Sequence, residues 1–317
     1  MSTYTYDAAG RLTTAVIPHH TLTYAYAAAN TCGANAAAGK NGNRTKFTDN
    51  FDGTVTSVSY CYDNADRLTS TDFAGTVPSN GSPVAVSDLA STGSQPSLVY
   101  DSHGNTTRLA DQTLFYDVAD RHYKTVLTDG TTIVYTLDAG GGMVARTVSG
   151  SPMTSENGTI RYLAGGAIAD GSGAVQQWML SLPGGVTLTI DVADGSQRWG
   201  YPNLHGDVIV TADETGTRIG ARSIYDPFGQ PIDPTNWNIG TTTADDAIPR
   251  ELLGGDADLG WVGSNTKYTE HHGSIATIEW GQGSTSQHSD DSSKSTRSRV
   301  GSPTPTTIQT TRSTSQI

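Results

Sequence analysis

Positive charge is scarce in this chain of 317 residues: 19 Lys and Arg stand against 31 Asp and Glu, and the formal net charge is −12. Proteins that bind nucleic acids contact phosphates through clustered Lys and Arg, so this balance argues against that class. Apolar runs are also short, and none approaches the roughly 20 residues that cross a bilayer. Met1 is followed by STYTYDAAG, which has neither the basic nor the apolar region of a signal peptide. The sequence therefore predicts no nucleic-acid partner, no membrane span and no secretion signal of its own.

Cysteine is nearly absent, with only Cys32 and Cys61. Two cysteines do not make a disulfide framework, and neither has a second Cys or a His at metal-ligand spacing, so we expect no zinc site. A bridge between them would close a loop of about 30 residues and stabilise the fold by roughly 3 kcal/mol in the chain-entropy model. Two unpaired thiols are the alternative, and the sequence leaves both open.

Strong helix formers are scarce in any continuous window of the sequence. Gly is abundant, with 36 residues, and Tyr outnumbers Phe by 14 to 5. Aromatic and β-branched residues favour strands, whereas Gly marks turns. This composition predicts an all-β fold with many turns.

The pair Tyr-Asp occurs five times, whereas random placement of the tyrosines would give about one such pair. The pairs begin at Tyr6, Tyr62, Tyr100, Tyr116 and Tyr225. Around the first two, YTYDAAGRLTTA and YCYDNADRLTST align without a gap. Looser copies follow at 99–110, 115–126 and 135–147, and in the last of these Leu137 replaces the second aromatic residue. The chain is therefore built from an irregularly spaced repeat.

Each repeat reads as a strand ending in an aromatic residue, then a turn, then a return strand. The Asp suits the first corner of the turn because its carboxylate accepts backbone N–H bonds, and Gly or Asp three residues later suits the left-handed conformation. An isolated hairpin is marginal in water, so we expect the units to stack. The predicted turn residues are Tyr6, Asp7, Gly10, Tyr62, Asp63, Tyr100, Asp101, Gly104, Tyr116, Asp117, Tyr225, Asp226, Pro227 and Gly229.

The segment 197–233 carries the densest pattern. Aromatic and β-branched residues run from Trp199 to Val210 and lead to a turn that ends at Gly216. Alternating residues then continue to Tyr225. The predicted strand ends at Asp-Pro-Phe-Gly, where proline fixes φ and glycine permits a positive φ. We interpret this segment as a β-hairpin closed by a tight turn.

Part of this segment, LHGDVIVTADETGTRIGARSIYDPFGQ, resembles the core signature of the RHS (rearrangement hotspot) or YD-repeat family, which is related to the teneurin YD shell. The resemblance covers roughly residues 1–233 and continues more weakly to about residue 280. It implies stacked antiparallel β-hairpins that form part of a spiralling, hollow β-shell. The closing block that usually follows in the family is missing here, so we expect a partial chain that ends before that block.

The resemblance also implies a function. Full-length relatives are large exported or surface proteins of bacteria, in which the shell encloses or presents a C-terminal toxin or mediates contact at the cell surface. We therefore expect a non-catalytic structural wall that is extracellular or at the cell surface. Its expected partners are the remainder of a longer RHS polypeptide or its C-terminal toxin.

Composition divides the chain into four parts. We expect YD-repeat hairpins with surface loops at 1–137, and a strand series with the core signature at 138–233. A post-core segment follows at 234–280, and a Ser/Thr-rich tail without aromatic residues at 281–317 is expected to be disordered. Within the first part, the Ala/Gly/Asn-rich 25–46 and the Ser/Pro/Gly-rich 77–96 are predicted to be surface loops.

Catalytic, cofactor and metal sites are not expected. The adjacent histidines His19-His20 and His271-His272 would point to opposite faces of a strand. Some RHS proteins cleave themselves through aspartates, but those carboxylates lie in or beyond the missing block, so a remnant of a self-cleaving protein is a second alternative. Asp226 and Asp233 are interpreted as turn residues. The first alternative is a carbohydrate-binding surface module, with sugars stacking on Trp199 or Trp261.

Overall fold

The computed structural model describes residues 2–27, 29, 32–76, 88–150, 158–239 and 258–265, and the backbone of the strands at 268–272, 275–279 and 299–301. All long elements in this part of the chain are β-strands, and its helices are three-residue 3₁₀ turns. Every pair of neighbouring strands is antiparallel. The prediction of an all-β fold of antiparallel hairpins is confirmed. Where the chain is described, it has no helix long and apolar enough to span a membrane.

The first sheet has six strands in chain order. They are β1 (Thr3–Tyr6), β2 (Leu12–Ile17), β3 (His20–Ala25), β4 (Lys46–Phe51), β5 (Thr54–Tyr62) and β6 (Leu68–Ala74). In β3 the side chains of His20, Leu22 and Tyr24 are buried, while the two threonines between them are exposed. This alternation with a period of two gives the sheet one core-facing side.

The second sheet has thirteen strands, also in chain order. They are β7 (Leu98–Tyr100), β8 (Thr106–Leu109), β9 (Gln112–Tyr116), β10 (His122–Leu127), β11 (Thr132–Leu137), β12 (Met143–Ser149), β13 (Gly158–Tyr162), β14 (Ala167–Asp170), β15 (Val175–Ser181), β16 (Thr187–Asp191), β17 (Gln197–Pro202), β18 (Val208–Ala212) and β19 (Arg218–Ile219). A bridge between Ser70 and Ala90 links its start to β6. The two sheets therefore continue one meander.

A third sheet contains β20 (Asp258–Leu259), β21 (Tyr268–His272), β22 (Ile275–Glu279) and β23 (Arg299–Gly301). The last strand lies in the segment 281–317 and pairs with β22. The rest of that segment lies outside the described residues. The division into four parts stays a prediction.

The largest core cluster joins regions far apart in the sequence. It contains buried side chains of the first sheet, of β7–β9 and of the segment 224–239, including Leu22, Tyr24, Leu98, Leu114 and Ile232. Residues 224–239 therefore pack against the amino-terminal sheet, although about 200 residues of chain separate them. These long-range contacts bury the apolar face of the sheet, which would otherwise be exposed to solvent.

Two predictions about local structure are wrong. Trp199 to Val210 is not one strand, because Pro202 has no N–H for the ladder and a turn begins at Asn203. The strand expected to reach Tyr225 ends at Ile219, because Gly220 adopts a positive φ of 65°. Tyr225 instead forms an isolated bridge with Pro231.

The expected surface loops are also partly buried. In 25–46 the side chain of Ala38 is fully buried and Arg44 is 9% exposed. In 77–96 Leu89 is buried, while residues 77–87 lie outside the described part of the chain. Small and polar composition predicted exposure, but both segments pack onto neighbouring hairpins.

Candidate functional site

The turn at Asp7 shows how one unit is built. The Asp7 N–H donates to the carbonyl of Arg11 (3.0 Å), and the Gly10 N–H donates to the carbonyl of Asp7 (2.9 Å). One carboxylate oxygen, Oδ1, accepts the N–H groups of Ala9 and Arg11 at 2.9 Å each. Gly10 takes the left-handed conformation with φ of 75°. Asp7 therefore closes the hairpin through its backbone and its side chain together.

The same turn recurs nine times in the described chain. In each copy the first residue exchanges two backbone hydrogen bonds with the fourth and fifth residues, and its side-chain oxygen accepts the N–H of the fifth. The fourth residue always has a positive φ. The first residues are Asp7, Asp63, Asp101, Asp117, Asp138, Asp170, Asn203, Asp213 and Asp226. All five Tyr-Asp turns therefore have the same hydrogen-bond pattern.

In the five Tyr-Asp turns the second carboxylate oxygen binds the side chain of the fifth residue. Arg11, Arg67 and Arg121 donate Nε to this oxygen at 2.7, 2.8 and 2.7 Å. At Asp101 and Asp226 the neutral amides of Asn105 and Gln230 take that place, both at 3.0 Å. In these five turns the donor is charged or neutral, whereas the turns at Asp138 and Asp170 close with Gly142 and Ala174 at the fifth position.

Hydrogen bonding lowers the pKa of most turn carboxyls. The backbone N–H and guanidinium of Arg11 hold the pKa of Asp7 below its usual range. The guanidinium of Arg121 does the same for Asp117. Asp226 behaves in the opposite way, because complete burial raises its pKa to about 6 despite three N–H donors. Its turn is the one that lies in the core.

Contacts between turns tie successive units together. Arg11 Nη1 donates to the carbonyl of Gly39 (2.7 Å), and Arg121 Nη1 donates to the carbonyl of Asp138 in the next unit (3.1 Å). Fourth-position aspartates act likewise: the carboxylate of Asp120 contacts His103 and Asn105 of the preceding turn, both at 2.8 Å. The turns are therefore joined directly as well as through their strands.

Tyrosine hydroxyls make a second set of ties. Four tyrosine hydroxyls donate to backbone carbonyls that lie 10 to 32 residues earlier in the chain. The pairs are Tyr62 with Arg44 (2.8 Å), Tyr100 with Leu68 (2.9 Å), Tyr116 with Thr106 (3.0 Å) and Tyr225 with Val208 (3.3 Å). Burial raises the pKa of Tyr62 and Tyr100 above its ordinary value. Tyr6, the first of the series, is instead 61% exposed.

The two cysteines form a disulfide, with the Cα atoms of Cys32 and Cys61 5.1 Å apart. Of the two alternatives that the sequence left open, the structure has the bonded one. The bridge fixes the 25–46 segment to β5 next to the second turn. Three amides of that segment, those of Asn35, Asn41 and Asn43, donate to the carboxylate of Asp66 at 2.7 to 3.1 Å.

A clasp, defined here as Arg44, Tyr24, His20 and their partners in 224–239, joins the two ends of the meander. The Arg44 guanidinium lies 5.1 Å from the ring centroid of Phe228 and 5.4 Å from that of Tyr24. These two rings meet edge to face at 5.2 Å. A cation enclosed by aromatic rings in a desolvated site is a favourable contact. It faces the buried turn of Asp226.

His20 is the polar half of the clasp. Its Nδ1 lies 2.9 Å from the carboxylate of Asp49, and its Nε2 lies 2.7 Å from the carbonyl oxygen of Trp237. Both partners are acceptors, so the imidazolium, with two N–H groups, satisfies both contacts. Burial lowers the pKa of His20, but the Asp49 hydrogen bond and charge outweigh that effect and raise it.

The other candidate residues do not converge on one site. His19 is in a turn with a positive φ, and its partly exposed ring stacks on that of Trp237 with the centroids 4.6 Å apart. His271 and His272 are described only as backbone of β21. The described residues contain no group of three or more His, Cys, Asp or Glu that could hold a metal ion. The carboxylate of Asp233 accepts the N–H of Thr235 at 2.7 Å, which is a turn contact.

Both tryptophans proposed for sugar stacking are partly buried. Trp199 is partly buried, and its indole N–H donates to Gln197 (3.2 Å). Trp261 packs so closely on Gly229 that a Cβ there would lie 2.7 Å from the ring. Gly229 is therefore needed for this close approach as well as for its positive φ of 92°.

Comparison with known proteins finds no matching family model and no matching curated protein. Solved structures with some likeness are the Photorhabdus luminescens Tc holotoxin pore with a TccC3-D651A mutation (15% identity, TM-score 0.43), TcdB2-TccC3-TEV (17%, 0.45) and TcdB2-TccC3 (16%, 0.43). The matches cover 87%, 88% and 87% of this chain and 14% of each of those chains. The chain thus spans about a seventh of their length. At this identity and TM-score, the likeness assigns neither family nor function.

Sequence reasoning missed two features of the site. The turn at Asn203 begins with Asn, whose side-chain oxygen accepts backbone N–H bonds as Asp does, and Gly206 at the fourth position is its local signal. The clasp carries no local pattern, because its partners His20 and Trp237 are separated by 217 residues.

Proposed function

We propose that this chain is a non-catalytic structural wall of the RHS, or YD-repeat, kind. The observation that supports this most strongly is the occurrence of one turn at nine places, in each of which a side-chain oxygen of the first residue accepts a backbone N–H of the turn itself. Side chains whose oxygens are bound within the turn stabilise the hairpin and are not free to bind a substrate. The ties between units, through Arg11, Arg121 and the four tyrosines, extend that role from one hairpin to the next.

The wall belongs to a longer polypeptide at the cell surface or outside the cell. As the sequence resemblance implies, its partners are the remainder of that polypeptide or a C-terminal toxin that the shell encloses or presents. Electron microscopy of the longest natural polypeptide that contains this chain tests the proposal. A hollow, β-rich particle is expected, and a solid globular particle would contradict it.

The absence of self-cleavage is tested separately by expressing residues 1–317. A non-catalytic wall yields one band at 33.2 kDa. Two fragments that appear in the wild type and vanish in Asp226→Asn or Asp233→Asn would instead identify a self-cleaving protein. Fragments that persist in both variants would point to a contaminating protease, which inhibitors then remove.

A further inference from the structure

Three side-chain amides converge on one carboxylate beside the second Tyr-Asp turn. Asp66, at the fourth position of that turn, has a positive φ of 58°, and its carboxylate accepts the amides of Asn35, Asn41 and Asn43. The Asn41 amide reaches both carboxylate oxygens, at 3.1 Å each. An uncharged donor suits this position, because a second carboxylate there would repel that of Asp66 at close range.

Asn41 differs from the other two asparagines in the residue that follows it. The next residue is Gly42, whereas an alanine follows Asn35 and an arginine follows Asn43. In an Asn-Gly step the glycine nitrogen can attack the preceding side-chain amide with little hindrance, because glycine has no Cβ and the least restricted backbone. Asn41 is therefore the one of the three amides whose sequence favours this reaction.

The surroundings leave the Asn41-Gly42 step accessible. Both residues are exposed. Gly42 has a φ of 93°, and a Cβ at that position would meet nothing within 4 Å. Its N–H, the group that would attack, donates a long hydrogen bond to the carbonyl of Gly39 (3.3 Å). The backbone of Gly42 is thus open to solvent and weakly held.

We propose that Asn41 is a site of spontaneous deamidation, which weakens the hold of Asp66 on the segment 35–43 as the protein ages. The Gly42 nitrogen loses its proton and bonds to Cγ of Asn41, and the side-chain nitrogen leaves as ammonia, so that a five-membered imide forms. Water then opens the imide at either carbonyl, which gives aspartate or isoaspartate in place of Asn41. The sum of the steps consumes one water and releases one ammonia, and nothing is oxidised or reduced.

The product opposes its neighbour. A carboxylate in place of the Asn41 amide lies against the carboxylate of Asp66, and like charges at that distance repel. Protonation of either carboxyl removes the repulsion, so the loss of stability should be present at neutral pH and fade in acid. The same segment leads into Arg44 of the clasp, so its loosening bears on that contact as well. The inference does not rest on the shell role, which stands whether or not Asn41 is modified.

Peptide mapping by mass spectrometry tests the modification. After the folded chain is incubated in mildly alkaline buffer, the peptide with Asn41 should gain the mass difference between an amide and an acid and separate into aspartate and isoaspartate forms. Asn35 and Asn43 are matched internal controls, because they bind the same carboxylate, and Asn41 should convert several-fold faster than either. Asn41→Gln should not convert, since its longer side chain would need a six-membered ring. An unconverted Asn41, or equal rates at the three asparagines, would overturn the proposal.

Urea unfolding tests the consequence. Asn41→Asp reproduces the charge of the product, whereas Asn41→Ser removes the amide without adding a charge. At neutral pH, Asn41→Asp should unfold at a lower urea concentration than Asn41→Ser, and the difference should disappear in acid. Equal midpoints of the two variants at neutral pH would contradict the weakened hold on the segment 35–43.

Discussion

At the scale of single residues, the turn explains which positions of the repeat are fixed and which vary. The first residue uses Oδ1 to accept two backbone N–H groups, so Asp and Asn both serve, as Asp7 and Asn203 show. In the Tyr-Asp turns the second oxygen also meets the fifth side chain, which is Arg, Asn or Gln in different units. The turn therefore requires an acceptor at its first position, and the Tyr-Asp copies add a donor at the fifth.

Asp63→Ala should lower the free energy of unfolding by about 2 kcal/mol, because two backbone N–H groups and the Arg67 guanidinium lose their acceptor. Asp63→Asn keeps the Oδ1 acceptor and should lose clearly less. Urea unfolding of both variants measures the difference. Equal losses would show that the charge, and not the acceptor, holds the turn.

Asp226 should make stability fall as pH rises from about 4 to 7. Its pKa is about 6 in the folded chain and 3.8 ordinarily, so its contribution is complete below the ordinary value and is lost as pH rises through the folded value. The largest effect is about 3 kcal/mol for two pKa units. The turn carboxyls with lowered pKa act in the opposite sense, since their contribution is lost as pH falls.

Urea midpoints of the wild type and Asp226→Asn between pH 4 and 7 measure this effect. The asparagine keeps the acceptor oxygen but cannot ionise, so the gap between the two proteins should move in favour of the variant as pH rises. A constant gap across that range would contradict the raised pKa.

At the scale of elements, the structure is held by ties that join one hairpin to another. The 25–46 segment is fixed by a disulfide, by Asp66 and by the hydroxyl of Tyr62, which donates to the carbonyl of Arg44 (2.8 Å). This anchoring places Arg44 against Phe228 of the clasp. Loss of the contacts that fix 25–46 should therefore also weaken the packing of Phe228 in the clasp.

Cys32→Ser/Cys61→Ser should lower the free energy of unfolding by roughly 3 kcal/mol in the chain-entropy model. Thiol titration of the denatured, unreduced wild type should find no free cysteine. Limited proteolysis should cut the variant within 33–45 faster than the wild type. Two titratable thiols in the wild type, or unchanged stability of the variant, would contradict the role of the bridge.

His20→Gln should loosen residues 233–239, because it removes the imidazolium that joins Asp49 to the Trp237 carbonyl. Faster hydrogen exchange of the Asp233 and Trp237 amides at pH 6 measures this. His103→Gln is the control, since His103 is exposed and remote from the clasp. In the wild type the tie weakens as pH rises through the raised pKa of His20. Equal exchange rates of these amides in both variants would show that His20 does not stabilise the clasp.

At the scale of the whole molecule, the sequence predicted the class of fold and the repeated turn because both depend on local chemistry. Asp followed three residues later by Gly favours this turn through contacts within five residues, as at Asp7 and Gly10. The clasp and the disulfide depend on which distant segments meet, and no local pattern encodes that. The turn at Asn203 also depends on local chemistry, but it begins with Asn instead of Asp, so a search for Asp alone does not find it.

Hydrogen exchange over the entire chain tests the central claim, that one side-chain-closed turn repeats along a stacked meander. In all nine turns, the amide of the fifth residue, bonded to the side-chain oxygen of the first, should exchange slowly, as should the flanking strands from β2 to β18. Protection that follows a helical period, or turn amides that exchange as fast as an unfolded chain, would contradict the account.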